Sequence, residues 1–352
     1  MKTNKVSLDK YFKYLYCPIC SRRFQLKNSK TLTCVGKRHS FSINEGIPRL
    51  VSKVFLDKSQ KETEKSFSYK WTHRSLKNYG LDDTTKHFQH KWYLKRYGWK
   101  NERVFSKFIK KQNFILDAGC GTGWAAKWFA EKNPQSIVFA LDISKSIDIA
   151  AENFKSLNNL VSIQADINHL PFPKNFFDFI SCDQVLHHTS DPLGTFRQLL
   201  SRLKKGGILA TYVYKRKVPL RELADTFIRE KTTKMNSKDC YNFSRVITLL
   251  GRSISRLNIK FNVPEDIPLL KIKKGRYDLQ RFIYWHFLKC FWNEDWGLEK
   301  SILTNFDWYH PKNAHRYSPN EIRRWIKKMR LKTEHFYVGD SGISIRVKKI
   351  NS

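Results

Sequence analysis

Three cysteines and one histidine near the start of the chain have the spacing of a metal site. Cys17 and Cys20 are followed by Cys34 and His39, which gives the pattern Cys-x2-Cys-x13-Cys-x4-His. A two-residue gap lets both sulfur atoms of the first pair reach one ion, and three thiolates with one imidazole form a closed tetrahedral zinc site. The spacing predicts a structural Zn²⁺ rather than a catalytic metal. Unliganded cysteines in a small surface domain are the alternative.

A second chemically informative stretch is the glycine-rich run FILDAGCGTG at 114–123. An apolar segment ends at Asp117, and Gly119, Gly121 and Gly123 then lead into a segment with helical spacing. Glycines allow a tight turn and a close approach of the backbone to a ligand. Alternating glycines alone also fit a dinucleotide site, but a carboxylate two residues before the first glycine would repel a pyrophosphate. The run therefore favours a cationic ligand.

The region around this loop alternates two kinds of pattern. Short apolar runs predict strands at 114–117, 136–142, 161–165, 177–182 and 208–214. Helical spacing predicts helices at 124–131, 144–157 and 193–203, the last of which we expect to stop at Gly206–Gly207. Strands that alternate with helices indicate an α/β fold with a parallel sheet covered on both faces.

These residues together resemble the class I S-adenosylmethionine (SAM)-dependent methyltransferases. The run LPFPKNFFDFISCDQVLHH at 170–188 is similar to the methyltransferase type 11 subgroup, which includes the ubiquinone- and menaquinone-biosynthesis enzymes. The resemblance implies a Rossmann-like, seven-stranded methyltransferase sheet, transfer of a methyl group (EC 2.1.1.-) and SAM as the co-substrate. The sulfonium and ammonium groups of SAM suit the acidic mouth inferred above.

The resemblance also implies roles for individual residues. The first motif of the family corresponds to Asp117, Gly119, Gly121 and Gly123. Asp142 ends the second strand, where the family holds the ribose hydroxyls. Asp166 would face the adenine amino group, Ile167 would lie beside the adenine ring, and Asp183 belongs to the same cofactor site.

Two further segments carry resemblances of their own. The N-terminal cysteine segment, through GIPRLV, resembles the Trm112-like zinc-binding module, which precedes the methyltransferase domain in some bacterial 23S rRNA guanine methyltransferases. The run SFSYKWTHRS at 66–75 resembles an element that helps to cover the SAM site in such enzymes. It makes Phe67, Tyr69 and Trp71 candidate lid residues, and an ordinary packed aromatic cluster is the alternative.

The pattern divides the chain into five parts. Residues 318–321, Ser-Pro-Asn-Glu, form a capping box, and 342–349 reads as a final strand, so a mostly helical insertion follows the fifth strand. In this family such insertions usually recognise the acceptor. The parts are 1–52, the zinc module; 53–112, the lid and linker; 113–214, the SAM-binding core; 215–317, the insertion segment; and 318–352, the last helix and strands of the core.

Three histidines are candidates for a catalytic base, which is needed only if the acceptor must lose a proton. His187 and His188 follow the fourth strand, at the rim of the expected site. His310 lies in the insertion segment. Taken alone, each of the three is more often a structural or surface residue than a catalytic one.

The overall charge bears on the partners of the protein. Lys and Arg number 66 and Asp and Glu 31, which gives a formal net charge of +35. Such an excess fits a polyanionic partner such as RNA, and a compositional drift toward lysine explains it equally well. No apolar run reaches the ~18 residues of a membrane span. The first residues do not form a secretory signal, and the scattered cysteines favour a cytoplasmic protein.

Three functions remain open on this basis. The favoured hypothesis is a SAM-dependent methyltransferase that acts on an unassigned small-molecule or saccharide-like acceptor, because an insertion rich in Trp, Tyr and His suits a shaped pocket. The alternative is an rRNA or tRNA methyltransferase. A second alternative is a non-catalytic scaffold with the same fold, which the complete set Asp117, Asp142 and Asp166 disfavours.

Overall fold

The computed structural model describes residues 9–36, 38–52, 54 and 56–350. Its first part is a small antiparallel sheet whose four short strands pair in sequence order. In the register, Leu32 lies between Leu26 and Phe41. The elements are α1 (Asp9–Phe12), β1 (Phe24–Asn28), β2 (Thr31–Cys34), β3 (Ser40–Asn44) and β4 (Ile47–Pro48).

Three helices follow this sheet. α2 (Lys58–Thr72) begins at Asp57, whose carboxylate accepts the Gln60 N–H at 2.8 Å. Such a side-chain cap satisfies one of the backbone donors that the first helical turn leaves free. The other two helices are α3 (Asp83–Arg96) and α4 (Glu102–Ile109).

The next segment alternates strands and helices, as its sequence predicts. Most elements lie within two residues of their predicted bounds, although α6 is shorter than the predicted 144–157 helix. The elements are β5 (Phe114–Ala118), α5 (Trp124–Lys132), β6 (Ile137–Asp142), α6 (Ser146–Asn153), β7 (Leu160–Gln164), β8 (Phe177–Cys182), α7 (Pro192–Arg202) and β9 (Leu203–Lys215).

The prediction that Gly206–Gly207 ends α7 is wrong. The helix ends at Arg202, and β9 already begins at Leu203, which pairs with Phe177 of β8. The two glycines lie inside the strand, where the register between β8 and β9 shifts. A Cβ atom on Gly207 would come within 3.1 Å of the Phe177 carbonyl oxygen, so close backbone packing explains this glycine.

The remainder of the described chain is mostly helical before it returns to strands. A two-stranded antiparallel ribbon, β10 with β11, interrupts the helices. The elements are α8 (Pro219–Thr232), α9 (Ser237–Arg256), β10 (Lys260–Val263), β11 (Gly275–Asp278), α10 (Leu279–His286), α11 (Gly297–Tyr309), β12 (Arg316–Tyr317), α12 (Pro319–Lys328), β13 (Lys332–Val338) and β14 (Gly342–Lys348).

The main sheet is the Rossmann-like, seven-stranded sheet that the sequence predicts. Its order is β13-β14-β9-β8-β5-β6-β7, and the short β12 pairs with the end of β9. β5 to β9 are parallel, whereas β14 runs antiparallel to both β9 and β13. The order of the strands reverses beside β5, since β6 and β7 lie on one side of it and β8 and β9 on the other. Ligands of open α/β sheets bind at the carboxyl ends of the strands beside such a reversal.

The predicted capping box of α12 is confirmed. The Ser318 hydroxyl accepts the Glu321 N–H, and the Glu321 carboxylate accepts the Ser318 N–H at 2.7 Å. Pro319 occupies the first turn, where its missing N–H has no helical partner to lose. α12 buries Ile322 and Ile326, and thereby covers one face of the sheet.

The N-terminal sheet packs against the main sheet and shares its core. Leu32 and Cys34 belong to the same cluster of buried side chains as Leu116 and Phe139. The Leu50 N–H donates to the carbonyl oxygen of Gln164, the last residue of β7, at 2.7 Å. The small sheet thus covers the edge of the large one, which would otherwise expose unpaired backbone groups. Over the described residues, no helix is both long and apolar enough to cross a bilayer.

Candidate functional site

The glycine loop after β5 turns the chain sharply at the carboxyl end of the sheet. Gly119, Gly121 and Gly123 have φ angles of 84°, 56° and 86°, in the left-handed region that favours glycine. A Cβ atom on Gly119 would lie 2.3 Å from a methyl carbon of Val185, so a larger residue has no space there. The Gly121 N–H donates to Asp142 Oδ2 at 2.9 Å, which ties the loop to the end of β6.

Four carboxylates stand at neighbouring strand ends around this loop and line one cavity. Asp117 accepts the Ala126 N–H of α5 at 3.1 Å. Asp142 accepts the N–H and the hydroxyl of Ser144 at 2.8 and 2.7 Å. These bonds hold both carboxylates in fixed orientations. The four residues are Asp117, Asp142, Asp166 and Asp183.

Asp166 and Asp183 complete this acidic group from either side. Asp166 accepts the Asn168 N–H at 2.9 Å, and the neighbouring Ile167 contributes an apolar wall to the cavity. Asp183 is paired with the buried Arg96 at 2.7 Å and accepts the Tyr97 hydroxyl at the same distance. Arg96 at the end of α3 and the following Tyr97 thus position Asp183. The sequence alone did not indicate these two contacts.

Among the residues that the structure describes, the four carboxylates outnumber the basic side chains that pair with them. Burial, together with the nearby Asp183 and Asp142, raises the pKa of Asp117 to about 8. Burial also raises the pKa of Asp142, against the hydrogen bonds from Ser144 and Gly121 that lower it. A cation placed among these carboxylates would favour their ionised forms. The site is therefore chemically suited to a positively charged ligand.

The cavity has a volume of about 420 Å³ and extends well beyond the strand ends. Aromatic side chains from β9 and the insertion segment form most of its other side. We call the part around the four carboxylates the acidic end. The part beneath the insertion segment, together with Lys70 of α2, is called the basic end. It carries six cationic side chains and one carboxylate. Its aromatic members include Tyr214, Tyr284, Trp285 and Trp308.

Of the three candidate histidines, the structure brings only His188 to the cavity. Its Nδ1 lies 2.7 Å from the Asn313 carbonyl oxygen, which can only accept, so Nδ1 carries the proton. The Nε2 atom is then the acceptor. Burial lowers the pKa of His188 to about 4, against the raising effect of Asp307, and the ring is neutral at pH 7.

His187 and His310 lie away from the cavity lining, contrary to their candidacy as catalytic residues. The His187 ring is buried with its centroid 3.7 Å from that of Tyr214. His310 packs on Phe306 and its Nε2 lies 3.1 Å from the Met235 carbonyl oxygen. Both rings pack against other side chains of the protein and do not line the cavity.

Of the three candidate lid residues on α2, two line the cavity and one does not. Phe67 and Trp71 line the cavity, whereas Tyr69 packs against Tyr241 and Phe306. Residues four apart share a helix face, and a residue midway between them points elsewhere. The spacing alone was therefore enough to separate Tyr69 from the other two.

Sequence reasoning missed the residues of the basic end. Lys217, Lys289, Arg281 and Trp308 line the cavity, although no motif marks them. The only available signal was the density of basic and aromatic residues in the insertion segment. That signal does not separate surface lysines from those that face inward.

The N-terminal cysteines and histidine come together as the spacing predicts. The ligand atoms of Cys17, Cys20, Cys34 and His39 all lie within 4.8 Å of one another. His39 Nδ1 is 3.6 Å from Cys17 Sγ and 3.7 Å from Cys34 Sγ. Tetrahedral zinc with bonds of about 2.0–2.3 Å separates its sulfur and nitrogen ligands by about 3.5 Å. The four side chains therefore fit one zinc ion.

The sequence of the core has relatives of known class. Residues 116–211 match the family model described as a methyltransferase domain. A malonyl-[acyl-carrier protein] O-methyltransferase from Halalkalibacterium halodurans is 36% identical over 99 residues, which are 27% of this chain and 36% of that protein. A demethylmenaquinone methyltransferase from Listeria welshimeri is 31% identical over 116 residues, which are 32% of this chain and 49% of that protein.

The solved structures include a SAM-dependent methyltransferase from Aquifex aeolicus, which has a TM-score of 0.39 and 16% identity. The match covers 75% of this chain and 96% of that one. The chain spans about half or less of the length of the two sequence relatives. The match to the methyltransferase domain runs from β5 into β9. In this chain that domain lies between the N-terminal sheet with its Cys₃His cluster and the helices that form the basic end.

Proposed function

We propose that this protein transfers the methyl group of SAM to a small molecule bound in the basic end of the cavity. One observation carries the proposal. A single cavity joins the carboxylates and glycine loop of the methyltransferase domain to a chamber walled by aromatic side chains of the insertion segment. A concave chamber with aromatic walls fits a small acceptor better than a folded polymer.

SAM supplies a methyl group on a positively charged sulfur. In the proposed arrangement, Asp117 and the glycine loop bind its charged amino acid end, and Asp142 binds the ribose. Asp166 and Ile167 bind the adenine, and Asp183 borders the same space. The support is the geometry of the acidic end together with the shortage of positive charge there.

The residues of the chamber contribute mainly by orienting the acceptor and excluding water. Holding two reactants in line provides much of the rate enhancement of such a displacement, with effective molarities of up to about 10⁵–10⁸ M. Phe67 and Trp71 of α2 close one side of the cavity, and the insertion segment closes another. We infer that the insertion segment, residues 215–317, is the acceptor-recognition part of the protein.

His188 is the best placed group to receive a proton or a hydrogen bond from the acceptor. It lines the cavity, and its Nε2 is the acceptor atom because Nδ1 is engaged by Asn313. If it acts as a base, His188→Asn lowers kcat by about 10²–10⁴-fold. A smaller loss, with a change mainly in KM, would assign it to positioning.

We further propose that Cys17, Cys20, Cys34 and His39 hold one structural Zn²⁺. The closed set of four protein ligands leaves no position for a substrate. The ion would stabilise the turns that place the small sheet against β7. Under this proposal the metal takes no part in methyl transfer, which occurs in the core domain.

RNA is the second candidate acceptor, and the net charge of +35 is the observation in its favour. Lysine and arginine side chains on the surface would neutralise phosphates, and exposed aromatic rings would stack on bases. The basic residues of the cavity itself do not distinguish the two candidates.

Transfer of tritiated methyl from SAM into a fractionated extract of a strain that lacks the gene tests the proposal. We expect label in the small-molecule fraction. Label in a fraction that RNase destroys would replace the small molecule by RNA. Absence of label in every fraction, with SAM binding confirmed by calorimetry, would contradict the proposed transfer activity.

A further inference from the structure

The cavity has ends of opposite charge. The four strand-end carboxylates form the acidic end, and cationic side chains of the insertion segment and of α2 line the same cavity. The single carboxylate of the basic end is Asp307 of α11. The basic end comprises Lys70, Lys217, Arg221, Arg281, Lys289 and Lys300.

Some of these cations already have acidic partners. Lys70 pairs with Asp307 at 3.0 Å, and Lys300 lies 3.9 Å from Asp82. Arg221 pairs with the buried Asp225, also at 3.0 Å. Three cations remain without a carboxylate within 4.0 Å in the part of the chain that the structure describes. They are Lys217, Arg281 and Lys289.

The two lysines meet at one aromatic ring. The Lys289 and Lys217 Nζ atoms lie 4.7 and 5.7 Å from the ring centroid of Trp308. Lys217 also donates to the carbonyl oxygens of Asp340 and Ser341, at 2.8 and 3.0 Å, which uses two of its three N–H groups. The indole face attracts a cation but does not neutralise it.

Lys289 is the most deeply buried of these three cations. Its side chain is only 6% exposed, and within the described residues it forms no ion pair within 4.0 Å. Burial, together with Arg221 and Lys70, lowers the pKa of Lys289 to about 7, although Asp307 and Asp225 raise it. Burial and the neighbouring Arg221 and Lys289 also lower the pKa of Lys217.

A neutral acceptor does not account for this arrangement. The hydroxyl groups of a sugar need paired donors and acceptors, whereas an ammonium group only donates. An oxyanion accepts from several donors at once, and charge-assisted bonds of this kind are the strong ones.

We propose that the acceptor carries an oxyanion, a carboxylate or a phosphate group, which binds among Lys217, Lys289 and Arg281. The remainder of the acceptor then lies against the aromatic walls of the chamber, within reach of the methyl group at the acidic end. This inference rests on the proposed function, because it names the class of acceptor for the same cavity.

Binding of small anions to the SAM-saturated protein tests the inference. The probes are inorganic phosphate and acetate, with glucose as the neutral comparison, and the readout is calorimetry or a thermal shift. We expect at least one anion to bind and glucose not to bind. Stronger binding of phosphate assigns a phosphoryl acceptor, and stronger binding of acetate assigns a carboxylate.

Lys289→Met and Lys217→Met should each weaken the binding of the anion by at least tenfold. Lys238→Met, on the exposed surface of α9, removes the same charge and should leave the affinity unchanged. Lys289→Met should also raise the Tm at pH 6, because it removes a buried ammonium group without an ionic partner. That rise would show that the variant is folded.

The outcomes separate this inference from the proposed function. Failure of the wild type to bind SAM would contradict the proposed function. Normal SAM binding with no anion binding, or equal anion affinity for Lys289→Met and wild type, would overturn the oxyanion site alone. Glucose binding in the absence of anion binding would do the same.

Discussion

Asp142 both stabilises the glycine loop and lines the cavity. Its carboxylate accepts from the Gly121 N–H and from Ser144, and it also faces the cavity. It thus shapes the glycine loop while it remains available to a ligand. The same is true of Asp117, whose N–H partner lies in the first turn of α5.

Asp142→Ala should weaken the binding of SAM by about 1.5–3 kcal/mol, the usual loss for charge-assisted hydrogen bonds. Calorimetry measures this directly. Asp148→Ala, on a half-exposed face of α6, is the control and should leave the affinity near that of the wild type. Unchanged affinity of Asp142→Ala would remove Asp142 from the cofactor site.

Binding of SAM should release a proton at pH 7. Asp117 has a pKa of about 8 in the free protein, raised by burial and by Asp183, so it is mostly protonated there. A cationic ligand favours the ionised carboxylate, and the affinity should therefore rise with pH up to about 8 and then level off. Calorimetry at pH 7 in two buffers of different ionisation enthalpy counts the protons.

Asp117→Asn provides the comparison for that measurement. It removes the titrating group but keeps a polar side chain of the same shape, so its proton release should be smaller. Equal observed enthalpies in both buffers for the wild type would contradict the proposed role of Asp117.

At the scale of elements, the N-terminal sheet depends on contacts that are not formed by its strands alone. β2 and β3 are only four and five residues long. Three of the four clustered ligands lie outside strands, in the turns beside them. A metal that joins those turns would add stability that so small a sheet cannot obtain from its own core.

The purified protein should contain one zinc per chain by elemental analysis, and a strong chelator should lower its Tm. His39→Ala should lose the metal and also lower the Tm, because Cys34 lies in the core cluster that includes Leu116. Cys290→Ser, in the distant insertion segment, should keep a full complement of zinc. Far less than one zinc per chain in the wild type would count against the site.

The elements also show how far patterns predict a fold. The strands of the core follow from apolar runs and the helix α12 from its capping box, because both signals are local. The end of α7 does not, because pairing of Leu203 with Phe177 starts β9 earlier than the glycines indicate. Tertiary pairing overrides local preference at such boundaries.

The molecule as a whole carries a large positive charge, and the response to salt indicates what the charge does. A protein that contacts 6–10 phosphates loses about 10³–10⁵ in affinity between 50 and 200 mM salt. A small acceptor with one oxyanion exchanges far fewer counterions. We therefore expect kcat/KM of methyl transfer to fall by less than about tenfold over this range. A much steeper fall would favour RNA as the acceptor.

Local patterns let the sequence by itself predict the Cys₃His cluster, the glycine loop and the acids at the strand ends. Each of these depends on spacing along one segment, or on the rule that parallel strands end at one edge of the sheet. The assignment of residues 116–211 to a methyltransferase domain agrees with that prediction.

Only the tertiary structure decided which side chains face the cavity. His188 points into it while the adjacent His187 is buried behind Tyr214. Lys217 and Lys289 are far apart in sequence and meet at Trp308 because α10 and α11 fold back over the end of β9. Helical periodicity tells which residues share a face, but the partner of that face depends on packing between distant segments.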